Sequence, residues 1–209
     1  MTRQRIIDAA TEVLTTQPLR GFNLSEIAEQ AAVVRSTIYA VFGSREGLLR
    51  AVMEDMAERG GWDRMREAFR HPDALIATVR NIEEGTRMAA TEHAVVTAIS
   101  ALATIDPDAA AVAAEMDEMR VQGLHSLARR MGEQGYLRPE LNHEQVVDIL
   151  YVLSNWRTFE QLYTDRKLDS AAVAERLVTM LKRTLCRPES ISMNADADGD
   201  EHRESGATA

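Results

Sequence analysis

The sequence predicts an all-α protein, and three observations carry that reading. Ala, Leu, Glu and Arg recur through 209 residues while Gly (11) and Pro (5) are sparse, a composition that favours helix throughout. Apolar residues recur at three- and four-residue spacing, as in Ile6, Ala10 and Val13, the period of one helix face. No run of alternating apolar residues lies between turn signals, so no sheet is expected. The expected architecture is an N-terminal three-helix head over residues 1–50 and a larger helical body over 51–186, about nine helices in all. An acidic tail over 187–209 completes the chain.

Each element has its own signal. Thr2 to Thr16 reads as a first helix, and Pro18 marks its end. The loop QPLRGF follows. Asn23-Leu-Ser-Glu26 reads as a capping box that opens a second helix, with Leu24, Ile27, Ala28 and Ala31 at helical spacing. After a break near Ala32–Val34, Arg35 to Val41 forms a third, with Ile38, Val41 and Phe42 on one side. Gly43-Ser44 ends it, and Ser44 can cap a fourth that reaches about Arg59. Gly60-Gly61 is the first plausible hinge between head and body. Further helical stretches are expected over about 62–70, 74–90, 92–104, 108–134, 143–164 and 170–186. Asp106-Pro107 puts Pro early in one of these. Asn142-x-x-Gln145 is a capping box, and Asp169 can cap the last helix. From Arg187 onward acids abound and apolar residues are few, the composition of a disordered tail.

Charge narrows the function classes. The formal net charge is −9, which argues against generic coating of nucleic acid, because phosphate binding needs cations. The charge is uneven, however. Residues 1–50 hold six Arg and no Lys against five acids, whereas residues 189–209 hold one Arg against six acids. Only the head is not acidic. A single cysteine, Cys186, allows no intrachain disulfide and fits a reduced, cytoplasmic setting, nucleoid-associated when DNA is bound. The N-terminus lacks the apolar stretch of a signal peptide. No segment is apolar for long enough to span a bilayer, so no membrane association is expected.

The helices expected at 23–31 and 35–41 are too short to stand alone and must share a core with the first. Ala28 and Ala31 are small and let them cross closely. Val33 and Ile38 can plug the crossing, which leaves Arg35, Ser36, Thr37, Tyr39 and Ala40 facing largely outward. One cation, three hydroxyls and a methyl suit phosphate and base-edge contacts. A helix–turn–helix lays its second helix in the major groove in this way.

The spaced residues Ile6-x-x-Ala9-Ala10, Gly21-Phe22, Ile27-Ala28, Ala31-x-Val33, Thr37-x-Tyr39, Phe42-x-x-Arg45 and Leu48-Leu49 resemble the TetR family of bacterial transcriptional regulators. The resemblance covers about residues 6–50. It implies a DNA-binding head, a fourth helix leading to a ligand-binding body, and a homodimer on a palindromic operator in double-stranded DNA. By position, Arg35, Ser36 and Ala40 would approach bases, and Thr37 and Tyr39 would hold phosphates. Arg45 stands where the family usually has a phosphate-binding Lys. Two positions depart from the pattern. Ala32 replaces the usual turn Gly, at a cost of roughly 1 kcal/mol if the residue is left-handed. Val34 replaces a frequent Ser at the cap of the recognition helix, a loss of about 1 kcal/mol.

In the body, the stretch 146–163 has only Asp148, Arg157 and Glu160 charged and should be buried on more than one side. The last helix carries two apolar stripes, one of Ala174, Val178, Leu181 and Leu185, the other of Val173, Leu177 and Met180. Pairing of these two helices with their twins in a second copy would cover both. Trp62, Met65, Phe69, Met88, His93, Met116, Met119, His125, Trp156 and Phe159 are candidates to line a pocket for a small apolar effector. At helical spacing the same residue types also serve as ordinary core.

Signatures of other chemistry are missing from the sequence. It contains no Gly-rich phosphate loop, HExxH or paired cysteines, and no GxSxG. Histidines stand at 71, 93, 125, 143 and 202, without the spacing of a metal motif. No enzyme activity, cofactor or metal is expected. Arg183 and Arg187 could lower the pKa of Cys186 and make it a redox switch, though an ordinary thiol near a helix end is the simpler expectation. The expected function is a ligand-released, DNA-binding repressor. The alternative is a small-molecule-binding or interaction protein on the same scaffold that does not read DNA.

Overall fold

The structure is a computed structural model that describes residues 1–16 and 22–189. It contains the α-helices α1 (Thr2–Thr16), α2 (Leu24–Gln30), α3 (Arg35–Phe42), α4 (Arg45–Gly60), α5 (Trp62–Arg70) and α6 (Ala74–Thr91). These are followed by α7 (His93–Leu102), α8 (Pro107–Glu133), α9 (His143–Leu153), α10 (Trp156–Glu160) and α11 (Ser170–Leu185). Among the described residues no strand forms, and Leu137 and Cys186 make an isolated antiparallel bridge. No single helix among them is long and apolar enough to cross a membrane. The expected loop with Pro18 and Gly21, and the tail from residue 190 on with His202, lie outside the described residues.

Side-chain caps set most helix starts. Asn23 accepts from Ser25 N, Ser44 from Gly47 N and Asp169 from Ala172 N. Asp106 Oδ1 accepts from Ala109 N at 3.0 Å, with Pro107 opening α8. Asn142 and Gln145 make a reciprocal capping box. Each bond satisfies an amide that the first turn leaves without a partner. The stretch expected as one helix over 143–164 is broken. Ser154 ends α9, and Asn155 caps α10 through Arg157 N. A π-helical turn, Gln161–Asp165, follows α10. The break occurs where two small polar side chains compete with the helix for backbone partners.

The chain forms two compact units. One comprises Met1–Arg66 and Arg87–Arg120 without the undescribed 17–21, the other Glu67–Thr86 and the described residues from Val121 to Glu189. This division differs from the expected boundary at residue 50. In the first unit the head does not have a core of its own. Ile6, Ile27, Ile38 and Leu48 share one buried cluster with Val95, Ala98, Leu102 and Val112, and α1 packs on α2, α4 and α7. In the second unit α9 packs on α11. There the buried stripe of α11 is Val173, Leu177, Leu181 and Leu185, while Met180 is left 48% exposed.

Candidate nucleic-acid interface and neighbouring sites

The turn between α2 and α3 is built from its backbone upward. Val33 N donates to Ala28 O at 2.9 Å, and Ala32 N donates to Glu29 O at 3.0 Å. These two bonds form a Schellman ending, whose penultimate residue is left-handed and usually Gly. Ala32 occupies that place with φ of +49°. Val34 then caps α3 with extended backbone and no side-chain hydrogen bond, and it is 66% exposed.

On α3, Ile38 is fully buried and fixes the helix's rotation. Arg35, Ser36, Tyr39 and Ala40 are exposed as a result, and Thr37 is half-buried. Arg35 Nη2 donates to Tyr39 Oη at 3.4 Å, one turn along this face. The hydroxyls, the guanidinium and the Ala40 methyl therefore share one open surface. At the end of α3, Gly43 has φ of +75°, and Ser44 starts α4. A Cβ on Gly47 would lie 2.1 Å from the Phe42 carbonyl oxygen, so only glycine lets α4 begin so close to the end of α3.

Arg45, at the start of α4, is paired with acids. Its guanidinium makes an ion pair with Asp106 and donates to Asp108 Oδ2 at 2.8 Å. Nε donates to the Phe22 carbonyl at 3.1 Å, and the group lies over the Phe22 ring. The hydrogen bond from Arg45 holds the Asp106 carboxyl below its usual range, and the same bond raises the pKa of Arg45. In this arrangement the guanidinium faces the start of α8. Arg50 likewise pairs with Glu46 and Glu115, at 3.0 and 2.7 Å.

The candidate effector-lining residues divide between the units. Trp62, Met88, His93 and Met119 belong to the first, and His125, Trp156 and Phe159 to the second. Trp62 is exposed and Met119 is 61% exposed. Met88 packs where a Cβ on Gly60 would lie. Phe159 is buried, with ring centroids 5.4 Å from Trp156 and 4.8 Å from Tyr163, which the sequence reading did not single out. A groove of about 390 Å³ is lined instead by Arg138, Pro139, Glu140, Arg187, Pro188 and Glu189, so its walls are charged.

Cys186 follows the simpler expectation of an ordinary thiol, and the histidines do not follow their sequence spacing. Cys186 is fully buried, and burial pushes its thiol up to about 11 although Lys182 and Arg138 pull the other way. The flanking Arg183 and Arg187 do not activate it. Histidines that lack metal spacing in the sequence are brought together in space: His125 and His143 face each other with Glu144 beside them.

Comparison with known proteins places the head in a large group. Residues 6–52 match the family model described as bacterial regulatory proteins, tetR family. The HTH-type transcriptional regulator AlkX of Mycobacterium tuberculosis is 36% identical over 59 residues, 28% of this chain and 28% of that protein. The HTH-type transcriptional regulator SrpR of Pseudomonas putida is 44% identical over 52 residues, 25% of this chain and 24% of that protein. The match thus spans about a quarter of the length of these curated relatives. Among solved structures, NalD, the secondary repressor of the MexAB-OprM multidrug efflux pump in Pseudomonas aeruginosa, superposes with a TM-score of 0.70. That likeness covers 90% of this chain and 96% of NalD at 20% identity. The fatty acid degradation regulator FadR from Bacillus halodurans gives 0.66 at 22% identity, covering 86% of this chain and 97% of FadR. At such identities these two establish the shared fold alone.

Proposed function

Because residues 6–52 match the model of the TetR family of bacterial regulatory proteins, we propose that the chain is a member of that family and a DNA-binding transcriptional regulator. It acts as a homodimer on a palindromic operator and is released by a small apolar effector. The observation that carries the reading is the rotation of α3, which buries Ile38 and leaves Arg35, Ser36, Tyr39 and Ala40 open. Arg35, Ser36 and Ala40 approach base edges, and Thr37 and Tyr39 hold phosphates. Arg45, partly exposed beside Asp106 and Asp108, would have to share its guanidinium with those acids to add a phosphate contact. Val152 on α9 and Met180 on α11, 58% and 48% exposed, supply apolar surface for a second copy. Effector binding favours a spacing of the two heads that misfits successive major grooves, and the operator is released.

Selection of bound sequences from a random pool of duplex DNA, followed by gel shift, tests the proposal. A two-fold symmetric sequence should be enriched. Arg35→Ala should cost about 1–3 kcal/mol and relax the preference at one position of each half-site. No enrichment by the full chain would favour the second reading, a scaffold that binds small molecules or partners without reading DNA. The commitment of Arg45 and Arg50 to acidic partners gives that reading its support.

A further inference from the structure

We propose that His125, His143 and Glu144 form a binding site for a divalent transition-metal cation of the zinc type. The inference concerns the second compact unit and holds whether or not the chain reads DNA. One ligand atom from each of the three side chains lies within 4.8 Å of the others. His125 Nδ1 and His143 Nε2 are 3.0 Å apart, with ring centroids at 5.2 Å. Two imidazole nitrogens on one tetrahedral zinc ion, each about 2.0–2.1 Å from it, stand about 3.3 Å from each other. The nitrogen–nitrogen separation is therefore within a few tenths of an ångström of that spacing, and a carboxylate oxygen of Glu144 lies within 4.8 Å of both nitrogens.

The ligands sit on separately anchored elements. His125 lies on α8 between buried Leu124 and Leu127. The end of that helix is tied down where Arg130 Nη1 donates to the Phe69 carbonyl at 2.8 Å. His143 and Glu144 are the first two residues of α9. The Asn142–Gln145 capping box, with bonds of 2.9 and 3.0 Å, fixes their backbone, and buried Val146 and Val147 anchor the helix. Between the two helices, Arg138 N donates to Leu185 O at 2.9 Å, so the connection is held as well. Ligands restrained before the metal arrives lose less freedom on binding it.

The donor set selects the class of ion. Two imidazoles and one carboxylate suit zinc, nickel or copper, whereas calcium and magnesium prefer oxygen alone. Three protein ligands leave a fourth position for water. The start of α9 carries a partial positive charge of roughly half a unit, which opposes a cation. The full negative charge of Glu144 outweighs it. A hydrogen bond between two neutral imidazoles would also bring the rings together. At a partly exposed position that bond contributes little, and it gives no role to Glu144.

The test titrates the full-length chain with Zn²⁺ against a chromophoric chelator and, in parallel, with Co²⁺ followed by its visible absorption. The wild type should take up one tight equivalent per chain, and Co²⁺ should show the intense bands of a low-coordinate site. His125→Ala and His143→Ala should each weaken zinc binding by about 10- to 100-fold or more, the loss that follows even from disturbing a ligand's supporting partner. Glu144→Gln should weaken it less, and His71→Ala should leave it unchanged. His143 is exposed at the first position of its helix, so its replacement tests binding without emptying the core. Wild-type affinity in His143→Ala, or no zinc uptake by the wild type, overturns the proposal.

Discussion

Ala32 holds φ of +49° at the Schellman position that ends α2, where a Cβ crowds the following carbonyl. Ala32→Gly is expected to stabilise the chain by about 1 kcal/mol, measured by urea unfolding, because glycine removes that contact and leaves both turn hydrogen bonds in place. An unchanged or lower midpoint would mean that the turn holds Ala32 without strain. At Cys186 the expectation is inertness. The thiol is fully buried and raised to about 11, so almost no thiolate exists at neutral pH. A disulfide-exchange reagent should leave the native chain unlabelled and label one thiol per chain after denaturation. Rapid labelling of the native chain would reopen the case for a redox switch. Through the resembled family's usual turn Gly, and not through the break itself, the left-handed place of Ala32 was legible in the sequence. The burial of Cys186 was not, because it is decided by the packing of distant residues, although an ordinary thiol was the simpler expectation.

Among the helices, the tie from Arg45 at the start of α4 to Asp106 at the start of α8 sets a pH dependence. Arg45 holds the Asp106 carboxyl below its ordinary range, chiefly through their hydrogen bond. The folded state thus binds a proton at this carboxyl less readily than the unfolded chain does. The stabilisation is complete above the unfolded carboxylate pKa, about 3.9, and is lost as pH falls through the lower folded value. Asp106→Asn keeps a side-chain acceptor for Ala109 N while removing the charge. The wild type should be the more stable at pH 7, and its lead in chemical denaturation should shrink below about pH 4. A lead that is constant with pH would show that the charge contributes nothing. This tie illustrates what sequence reasoning could reach. Ser44, Asn142 and Asp169 were legible as caps because a cap and its amide lie within three residues. Ile38 was legible as the buried side of α3 because the helix is short and its period fixes the opposite face. Arg45 and Asp106 are 61 residues apart, and His125 and His143 are 18 apart; no local period relates either pair. Gly47 was missed for a different reason: it is only five residues from Phe42, but its requirement depends on the angle at which α4 leaves α3, which places the Phe42 carbonyl against it.

For the whole molecule, the question is how a chain of net charge −9 can hold DNA at all. Long-range repulsion works against it, and the cations of a single head are few, with Arg45 and Arg50 occupied by acids. One head then offers little phosphate neutralisation, and each half-site contact is weak. Two heads linked in one dimer change the balance, because the second contact becomes intramolecular and its effective concentration replaces the bulk one. The proposed regulator therefore depends on dimerisation more than a basic protein would. Val152 and Met180 are the apolar side chains that the second unit leaves exposed on α9 and α11. Val152→Glu combined with Met180→Glu should convert a dimer into a monomer by analytical ultracentrifugation, without loss of helicity, since neither side chain fills a core. Operator affinity in the gel shift should fall by about 100-fold or more, the gain that linkage of two sites supplies. Monomers that keep full affinity would show that one head suffices, and a wild type that sediments as a monomer would remove the premise.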